Sequence, residues 1–585
     1  MRYRERKDGG SAPSLGRRAS GGLSVAAASV FVLAAVAAHA EPVAPSTVTP
    51  SELRPAPSGS AGIALPASSE LTPPPNAANL AVTLSGVVVQ GGFEDMAAQT
   101  RAITDGLVGR RVTVAEIYAA ASAVEGAYGA AGYALARVVV PPQKLDPHGK
   151  LTLIVVDGYI ESIDVKRVPE RQRGVVSARL AALIGQRHVK LTEIERRVLL
   201  AGDVPGLALK STLAAGAASG GAKLVVEGTD RLVTGQIGVD NNLPSSLRNW
   251  ELNGGVQVNS PFGLGEQFYL SATTGYDVAR LFDGSIPIQI FGGGFTMPIG
   301  VDGLTINPEY TNAITRPSAT EGAPETTGYF QRADLRVSYP LIRTRKETLT
   351  LSSVIEWDQE YMRPTGFPGD LYDDDYFVWR GKADSQTAFS GGVGVQASGT
   401  LSQGLGGRTA PYGALVPLSQ QGASPDFTKF DVEARWTQPL PNLFSFVLYG
   451  EGQTSFGKPL MVSEQLSLDG PGAVSGYPTG TFVVDEGAFG RAELGRTFSV
   501  PAFGKSVAIE PYVFGAAGFG VIDMATAVQQ ATIDIGSVGI GARTSLPASE
   551  TAPGADLGVE LAHYFSDVRD DHDGWRGNLT FSVRF

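Results

Sequence analysis

The chain has 585 residues, 73 of them glycine and none cysteine, and its formal net charge is −11. The lack of cysteine excludes disulfide staples, thiolate metal sites and cysteine nucleophiles, and the acidic balance argues against a nucleic-acid binder. A mean hydropathy of +0.02 is compatible with a membrane β-barrel, because the apolar side chains of a barrel strand alternate with polar ones.

The first forty residues have the pattern of a secretory signal peptide. Six basic residues precede the apolar stretch 23–37, which ends at Ala38-His39-Ala40. A basic start, a short apolar core and an A-x-A site define such a peptide, so we predict residues 1–40 as a signal peptide cut before Glu41. No later stretch has the eighteen or so consecutive apolar residues of a membrane helix. A membrane location therefore requires a closed barrel.

Residues 41–79 contain nine prolines, including Pro73-Pro74-Pro75. A segment of this composition does not build a core, and we predict an extended linker. An interior proline costs a helix about 3 kcal/mol or more. We therefore expect no helix longer than about three turns before Leu80.

The next segment contains two α+β units that repeat the order β-α-α-β-β, which predicts domains at 80–158 and 159–229. In the first unit we predict strands at 82–89, 134–140 and 151–156 and helices at 94–104 and 113–131, the second helix starting from a threonine cap. In the second unit we predict strands at 159–165, 207–213 and 222–227 and helices at 171–185 and 191–201.

A long ordered motif lies in the first unit. It begins at Gly132-Tyr133, continues through Pro141-Pro142-Gln143, and ends with Gly149-Lys150-Leu151 and Val155-Val156-Asp157-Gly158. This string resembles the first polypeptide-transport-associated (POTRA) domain of two-partner secretion transporters. The alternative is a generic periplasmic α+β domain. In either case Pro141 and Pro142 are expected to end a strand.

Residues 230–585 alternate apolar and polar side chains persistently, as in Lys429–Trp436, where four charges alternate with four apolar residues. At roughly 22 residues per strand with turns and loops, this segment provides about 16 strands. We predict a transmembrane antiparallel β-barrel of about 16 strands behind two small α+β POTRA domains, which the resemblance also implies. A soluble sandwich also alternates, but its apolar face meets a second sheet.

The segment Leu579–Phe585 alternates without a break, and Phe581 and Phe585 fall on its apolar face. It resembles the last strand of bacterial outer-membrane proteins. The resemblance implies that Phe581 and Phe585 form a signal for the barrel-assembly machinery. A soluble edge strand is the alternative.

One loop resembles the long loop that folds back into the lumen of these transporters. Its tip is Val474-Ser475-Gly476-Tyr477, where Ser475 occupies the family's arginine position. The resemblance implies that this arginine pairs with an aspartate in a later strand motif. Residues Phe514–Gly518 resemble that motif, and Gly518 matches its glycine, but Ala516 occupies the position of the aspartate. Replacing both members of a buried ion pair can be nearly neutral.

The period of two places Phe514 and Ala516 on the same face as Glu510, which marks that face as the lumen. We therefore expect Ala516 to lie inside the barrel near Ser475, with no charge pair linking the two residues.

No catalytic motif is present: the chain lacks H-E-x-x-H, a P-loop and G-x-S-x-G. We predict no enzyme activity, no metal site and no cofactor. The segment 570–574 is predicted to be a solvated loop in preference to a calcium site, and Asp373–Asp375 an exposed loop tip.

The resemblance implies an outer-membrane translocator of a Gram-negative bacterium. Its POTRA domains would capture an unfolded partner protein in the periplasm, and its barrel would pass the partner to the cell surface. Expected partners are this client, outer-membrane lipid, and the barrel-assembly machinery and periplasmic chaperones during biogenesis, with no nucleic acid and a monomeric state. Alternatives are an assembly factor that inserts other barrels and a diffusion porin.

Overall fold

The computed structural model describes residues 62–64 and 71–585, except 145, 147, 276–285, 320–324, 367, 409–417, 503–504, 528, 549–551 and 570. The predicted signal peptide and most of the predicted linker, with the expected lack of a long helix before Leu80, lie outside the described residues. Among the helices described, none combines the length and the apolar character needed to cross a membrane.

A short strand, β1 (Gly62–Ala64), precedes the first α/β unit. The elements of this unit are β2 (Ala81–Thr83), β3 (Gly86–Gln90), α1 (Ala97–Thr104), β4 (Arg111–Thr113), α2 (Val114–Ala130), β5 (Arg137–Val139) and β6 (Lys150–Val156). Strands β3, β6 and β5 form one sheet, and β2 pairs with β4. The single strand predicted at 82–89 is two strands, because buried Leu84 bridges to Val108 and redirects the chain between them.

Helix α2 starts where the sequence predicted a threonine cap. The Thr113 hydroxyl accepts the N–H of Glu116 at 3.1 Å, and the Glu116 carboxylate accepts the N–H of Thr113 at 2.7 Å. This reciprocal pair is a capping box, which satisfies backbone donors that the helix itself leaves unpaired. The hydrogen bond from the Thr113 backbone, with those from Arg110 and the Thr113 hydroxyl, lowers the pKa of Glu116 to about 2.

The second α/β unit repeats the arrangement. It contains β7 (Tyr159–Arg167), α3 (Glu170–Leu180), α4 (Leu191–Gly202), β8 (Leu207–Ala215) and β9 (Gly221–Asp230). Its sheet has the order β1-β8-β9-β7, so the strand from the predicted linker occupies one edge. Both helices and the sheet share one apolar core, in which Val176, Ile194 and Leu224 are fully buried.

The rest of the chain forms an antiparallel barrel with two short strands inside one loop. Its strands are β10 (Val233–Asp240), β11 (Glu251–Asn259), β12 (Gln267–Gly275), β13 (Ile288–Ile299), β14 (Leu304–Thr315), β15 (Thr326–Arg343), β16 (Glu347–Pro364), β17 (Tyr372–Ala388), β18 (Gly394–Gly407), β19 (Thr428–Pro439), β20 (Phe444–Thr454), β21 (Leu466–Ser467), β22 (Val483–Val484), β23 (Glu486–Arg496), β24 (Phe498–Ala502), β25 (Lys505–Val521), β26 (Thr532–Leu546), β27 (Gly554–Ser566) and β28 (Gly574–Arg584).

Strands β23 and β24 pair in succession with β25 and act as one barrel strand. Strand β10 pairs with both β11 and β28, which closes the barrel. The predicted barrel of about 16 strands is confirmed. Strands β21 and β22 pair only with each other, and the other strands from β10 to β28 number 16 when β23 and β24 are counted as one. With β23 and β24 counted as one strand, each described strand of the barrel pairs on both sides over at least part of its length.

The alternation predicted for 429–436 has the expected two faces. Phe430 and Trp436 point outward and are exposed, whereas Lys429 is buried inside, where it pairs with Glu464 at 3.1 Å. The prediction for Asp373–Asp375 is wrong, because these residues lie within β17. The fully buried Asp374 carboxylate accepts the N–H of Ser419 at 2.9 Å, and its two neighbours pair with Arg408. The partners come from a distant loop, which the local charge pattern does not show.

Helix α4 fixes the second unit to turns of the barrel rim. Arg197 pairs with Asp302 at 2.6 Å in the turn between β13 and β14. Asp203 pairs with Arg343 at 2.6 Å at the end of β15. This rim is the end of the barrel at which β10 begins, immediately after β9.

Candidate functional site

The segment 455–485, between β20 and β23, is called here the lumenal loop. Its side chains Leu468, Val474 and Tyr477 are buried against Phe489 and Ala516 on the barrel strands. The small hairpin of β21 and β22 shapes the loop. Within it, the Asp469 carboxylate accepts the N–H groups of Gly480 at 2.7 Å and Phe482 at 2.6 Å. The loop therefore folds inward as a structured element.

The tip residue Ser475 is 3% exposed and lies in a polar network. Its hydroxyl donates to the Glu560 carboxylate and accepts from the Arg491 guanidinium at 2.8 Å. Arg491 also pairs with Glu560 at 2.6 Å, so an arginine–glutamate pair clamps the serine hydroxyl. The Asn578 amide donates to the Ser475 carbonyl at 2.7 Å. The tip is thus held by three different barrel strands.

The neighbours of Ser475 fill the space around it. A Cβ at Gly476 would lie 2.3 Å from the Cβ of Tyr564, so only glycine fits there. The Tyr477 hydroxyl donates to Asp571 at 2.8 Å, and the Tyr477 ring lies 4.6 Å from that of Tyr564. These contacts fix the tip against β27.

The residues Phe514, Ala516 and Gly518 all face the lumen. The Phe514 ring lies 3.8 Å from the Arg491 guanidinium, and a Cβ at Gly518 would lie 3.3 Å from Leu468 of the lumenal loop. Ala516 is the direct cross-strand neighbour of Arg491. The positive charge that the tip lacks is therefore supplied from the barrel wall, beside the position where the family carries its aspartate.

Sequence reasoning did not find Arg491. The signal was present in β23, where Arg491 and Glu493 alternate with small residues and so share the lumenal face. Glu493 in turn pairs with Arg491 at 2.8 Å and with Arg543 at 2.8 Å. The alternation marks both as lumenal but does not show which loop they meet.

A second group of charges holds the base of the lumenal loop. The buried Glu464 carboxylate pairs with Arg380 at 2.7 Å and with Lys429 at 3.1 Å. Its oxygens come within 4.8 Å of those of Glu356 and Asp358. Because Arg380 also pairs with Glu356, these carboxylates have cationic partners within the chain. The group is an ion-pair network.

We expect Glu464→Ala to lower the heat resistance of the folded barrel. Removing one member of a buried ion pair leaves the other charge uncompensated, at a cost of about 3–5 kcal/mol. The measurement is the temperature at which the barrel loses its folded mobility in gel electrophoresis. Glu347→Ala, at an exposed carboxylate of the barrel rim, is the matched control. Equal temperatures for the two variants would show that Glu464 does not anchor the loop.

The predicted POTRA residues lie at two places in the first unit. Gly132 has φ +96° and its carbonyl accepts the N–H of Leu191 in the second unit at 2.8 Å, while Tyr133 donates to Asp95 at 2.6 Å. Pro141 and Pro142 follow β5. The Gln143 amide then both donates to and accepts from the Thr152 backbone at 2.8 Å, which continues the sheet contact past the prolines.

The two predicted assembly-signal residues lie at the barrel seam. Phe581 and Phe585 are exposed on the outward face. Backbone hydrogen bonds of 3.0 Å join Phe585 and Gly235 in both directions. Whether an assembly factor binds these side chains stays a prediction.

Comparisons with known proteins connect the fold to a family. Residues 220–544 match the family model described as haemolysin secretion/activation protein ShlB/FhaC/HecB, and residues 82–158 match the ShlB-type POTRA domain. The chain belongs to this haemolysin secretion/activation family. It is an outer-membrane transporter of the two-partner secretion type, with a POTRA region before its β-barrel.

Curated relatives agree with this assignment, and solved structures share the fold. The outer membrane transporter CdiB of Escherichia coli is 23% identical over 438 residues, which are 73% of this chain and 71% of CdiB. The heme/hemopexin transporter protein HuxB of Haemophilus influenzae is 23% identical over 412 residues, which are 69% of each chain. The structure of CdiB from Escherichia coli superposes with a TM-score of 0.65 at 19% identity, covering 88% of this chain and 94% of CdiB. CdiB from Acinetobacter baumannii gives a TM-score of 0.60 at 15% identity, covering 86% and 90%.

Proposed function

We propose that the transporter captures its secreted partner in the periplasm as an extended strand on a POTRA sheet, and then passes the partner through the barrel to the cell surface. The observation that supports capture is the pairing of β1 with β8. Three residues from outside the α/β unit add a parallel strand to its sheet, with Gly62, Ile63 and Ala64 opposite Lys210, Ser211 and Thr212. An edge that accepts one extended segment through its backbone can accept another.

The β8 edge suits a client of variable sequence. Leu209 and Leu213 point into the core, while Lys210 and Thr212 are exposed. The sheet therefore keeps its core whichever segment occupies the edge, and binding depends mainly on main-chain hydrogen bonds. Because residues 62–64 already occupy this edge, the client has to displace them. The linker segment and the client therefore compete for the same edge of β8.

The barrel interior supports a gated route in preference to a permanently open pore. The lumenal loop is anchored at its tip by Arg491 and Glu560 and at its base by Arg380 and Lys429. A diffusion porin would leave its lumen open to solutes. We propose that passage of the client requires this loop to move, and that folding of the client outside the cell drives export.

A disulfide between the linker and β8 tests the capture step. In Ala64→Cys/Thr212→Cys the two Cα atoms are register partners in neighbouring strands, a spacing that a disulfide spans. The native chain has no cysteine, so the introduced pair forms without competing thiols. We expect the oxidised variant to lose export of its partner and the reduced variant to regain it. Secreted partner in the culture medium is the quantity to measure.

The two single cysteine variants are the controls, and both are expected to export normally with and without reductant. Heat-dependent gel mobility shows that each barrel is folded. Normal export by the fully oxidised double variant would show that the β8 edge does not receive the client.

A further inference from the structure

A cavity of about 760 Å³ lies on the outward face of the barrel over β10–β14, beside the seam between β10 and β28. One cross-strand row shows how it forms. Ile237 pairs with Gly254, Gly254 with Ala272, and Ala272 with Phe291. The two small residues form the floor, and the exposed side chains of Ile237 and Phe291 form opposite walls.

A second row closes the cavity toward the POTRA end of the barrel. It contains Val256, Leu270 and Tyr310, which are exposed on the same outward face. Phe585 completes this end, where its ring lies against Gly235. These residues lie near the start of β10, so the cavity belongs to the half of the membrane next to the POTRA units.

The surroundings determine what can occupy this space. The outward face of the transporter contacts the lipid of the outer membrane, and the cavity is continuous with that face. Its walls are mainly aliphatic and aromatic side chains, with the Asn312 amide at one end, so an ionic group finds no charged partner there to compensate for its lost hydration. An unfilled space would deprive these side chains of packing contacts.

We propose that the cavity binds one acyl chain of a phospholipid from the periplasmic leaflet. The chain would lie along the floor at Gly254 and Ala272, between Ile237 and Phe291. A lipid in this position touches both sides of the seam, through Ile237 of β10 and through Phe585 after β28. The strand register there covers Gln236–Asp240 and Thr580–Arg584, and the backbone hydrogen bonds between Gly235 and Phe585 extend it at one end. The bound chain thus adds contacts where the closure of the barrel is shortest.

Two matched glycine substitutions test the site. A Cβ at Gly254 would make ordinary contacts, 3.5 Å from the Gln236 carbonyl oxygen and 3.9 Å from Ile237, so Gly254→Leu fills the cavity without disturbing the barrel. Gly515→Leu is the control. Gly515 lies between exposed Val513 and Phe519 on the outward face of β25 and does not line the cavity. A Cβ at Gly515 would have its nearest contact with the Val538 side chain, at 3.9 Å.

The full chain is purified from vesicles of phosphatidylethanolamine mixed with phosphatidylglycerol into mild detergent, and retained phospholipid is counted by native mass spectrometry. We expect the wild type and Gly515→Leu to retain one phospholipid per chain. Gly254→Leu is expected to reduce that occupancy at least tenfold, as is Ala272→Leu, which keeps the test valid if one variant folds poorly. Heat-dependent gel mobility identifies folded protein.

Equal retention by the filled variants and the control would overturn the proposal. Retention of lipopolysaccharide from native membranes in place of phospholipid would contradict the assignment to the periplasmic leaflet. A dimer that Gly254→Leu dissociates would show that a second copy of the chain covers this face.

Discussion

Deleting residues 80–158 is expected to abolish export of the partner protein, because we propose that the client meets this first unit before it reaches the β8 edge of the second, while a folded barrel remains in the outer membrane. Barrel closure depends on the pairing of β10 with β28 and does not involve the first α/β unit. That unit has its own apolar core around Ile117, Tyr128 and Leu153. Units with separate cores can be lost separately. Secreted partner is measured in the medium, and barrel folding by heat-dependent gel mobility.

Several contacts cross the boundary of this deletion, among them the hydrogen bond from Leu191 to the Gly132 carbonyl, and the apolar contact at Leu135 has its own control. Leu135 of the first unit packs into the core of the second. Leu135→Ala removes that contact alone and is expected to leave most export intact. Export at the normal level by the deletion variant would show that the first unit is not required for capture. Loss of the barrel from the membrane would contradict the independence of the two parts.

Arg491→Ser is expected to release the tip of the lumenal loop and to impair both export and the heat resistance of the barrel. Arg491 is 3% exposed, pairs with Glu560 at 2.6 Å and donates to Ser475 at 2.8 Å. Loss of one member of such a pair costs about 3–5 kcal/mol. Arg496→Ala is the matched control, because Arg496 lies exposed at the end of the same strand.

The tip contact also predicts a rescue. In Ser475→Arg/Arg491→Ser the guanidinium moves from the barrel wall to the loop tip, the family's arginine position, and can still meet Glu560, which takes the place of the family's aspartate as its partner. Ser475→Arg alone would place a second arginine beside Arg491, where Glu560 already pairs with Arg491 and Glu493 is shared with Arg543. We expect the double variant to recover most of the heat resistance and export that each single variant loses. The coupling is obtained from a double-mutant cycle.

Strictly additive effects in that cycle would contradict direct coupling between the two positions. Unchanged export and heat resistance in Arg491→Ser would show that the contacts of Asn578 and Tyr477 suffice to hold the tip.

Features carried by neighbouring residues were predictable from the sequence. The threonine cap at Thr113 gave the start of α2, because a capping box lies within four consecutive residues. The alternation of Lys429–Trp436 gave the two faces of a barrel strand, because successive side chains of a strand point to opposite sides. The repeat of α/β units and the resemblance of the Gly132–Gly158 motif predicted a POTRA domain at residues 80–158. The POTRA family model matches residues 82–158.

The tertiary structure decided which distant residues meet. Ser475 and Ala516 were expected to be neighbours without a charge pair, but Arg491 on a third segment supplies the charge that holds the tip. The pairing of β1 with β8 and the cavity at Gly254 depend likewise on partners far along the chain. A period of two tells whether a side chain points into the lumen, but contacts across the lumen depend on strand register and barrel closure. Local sequence therefore fixes the face of each residue, and the closed barrel fixes its partner.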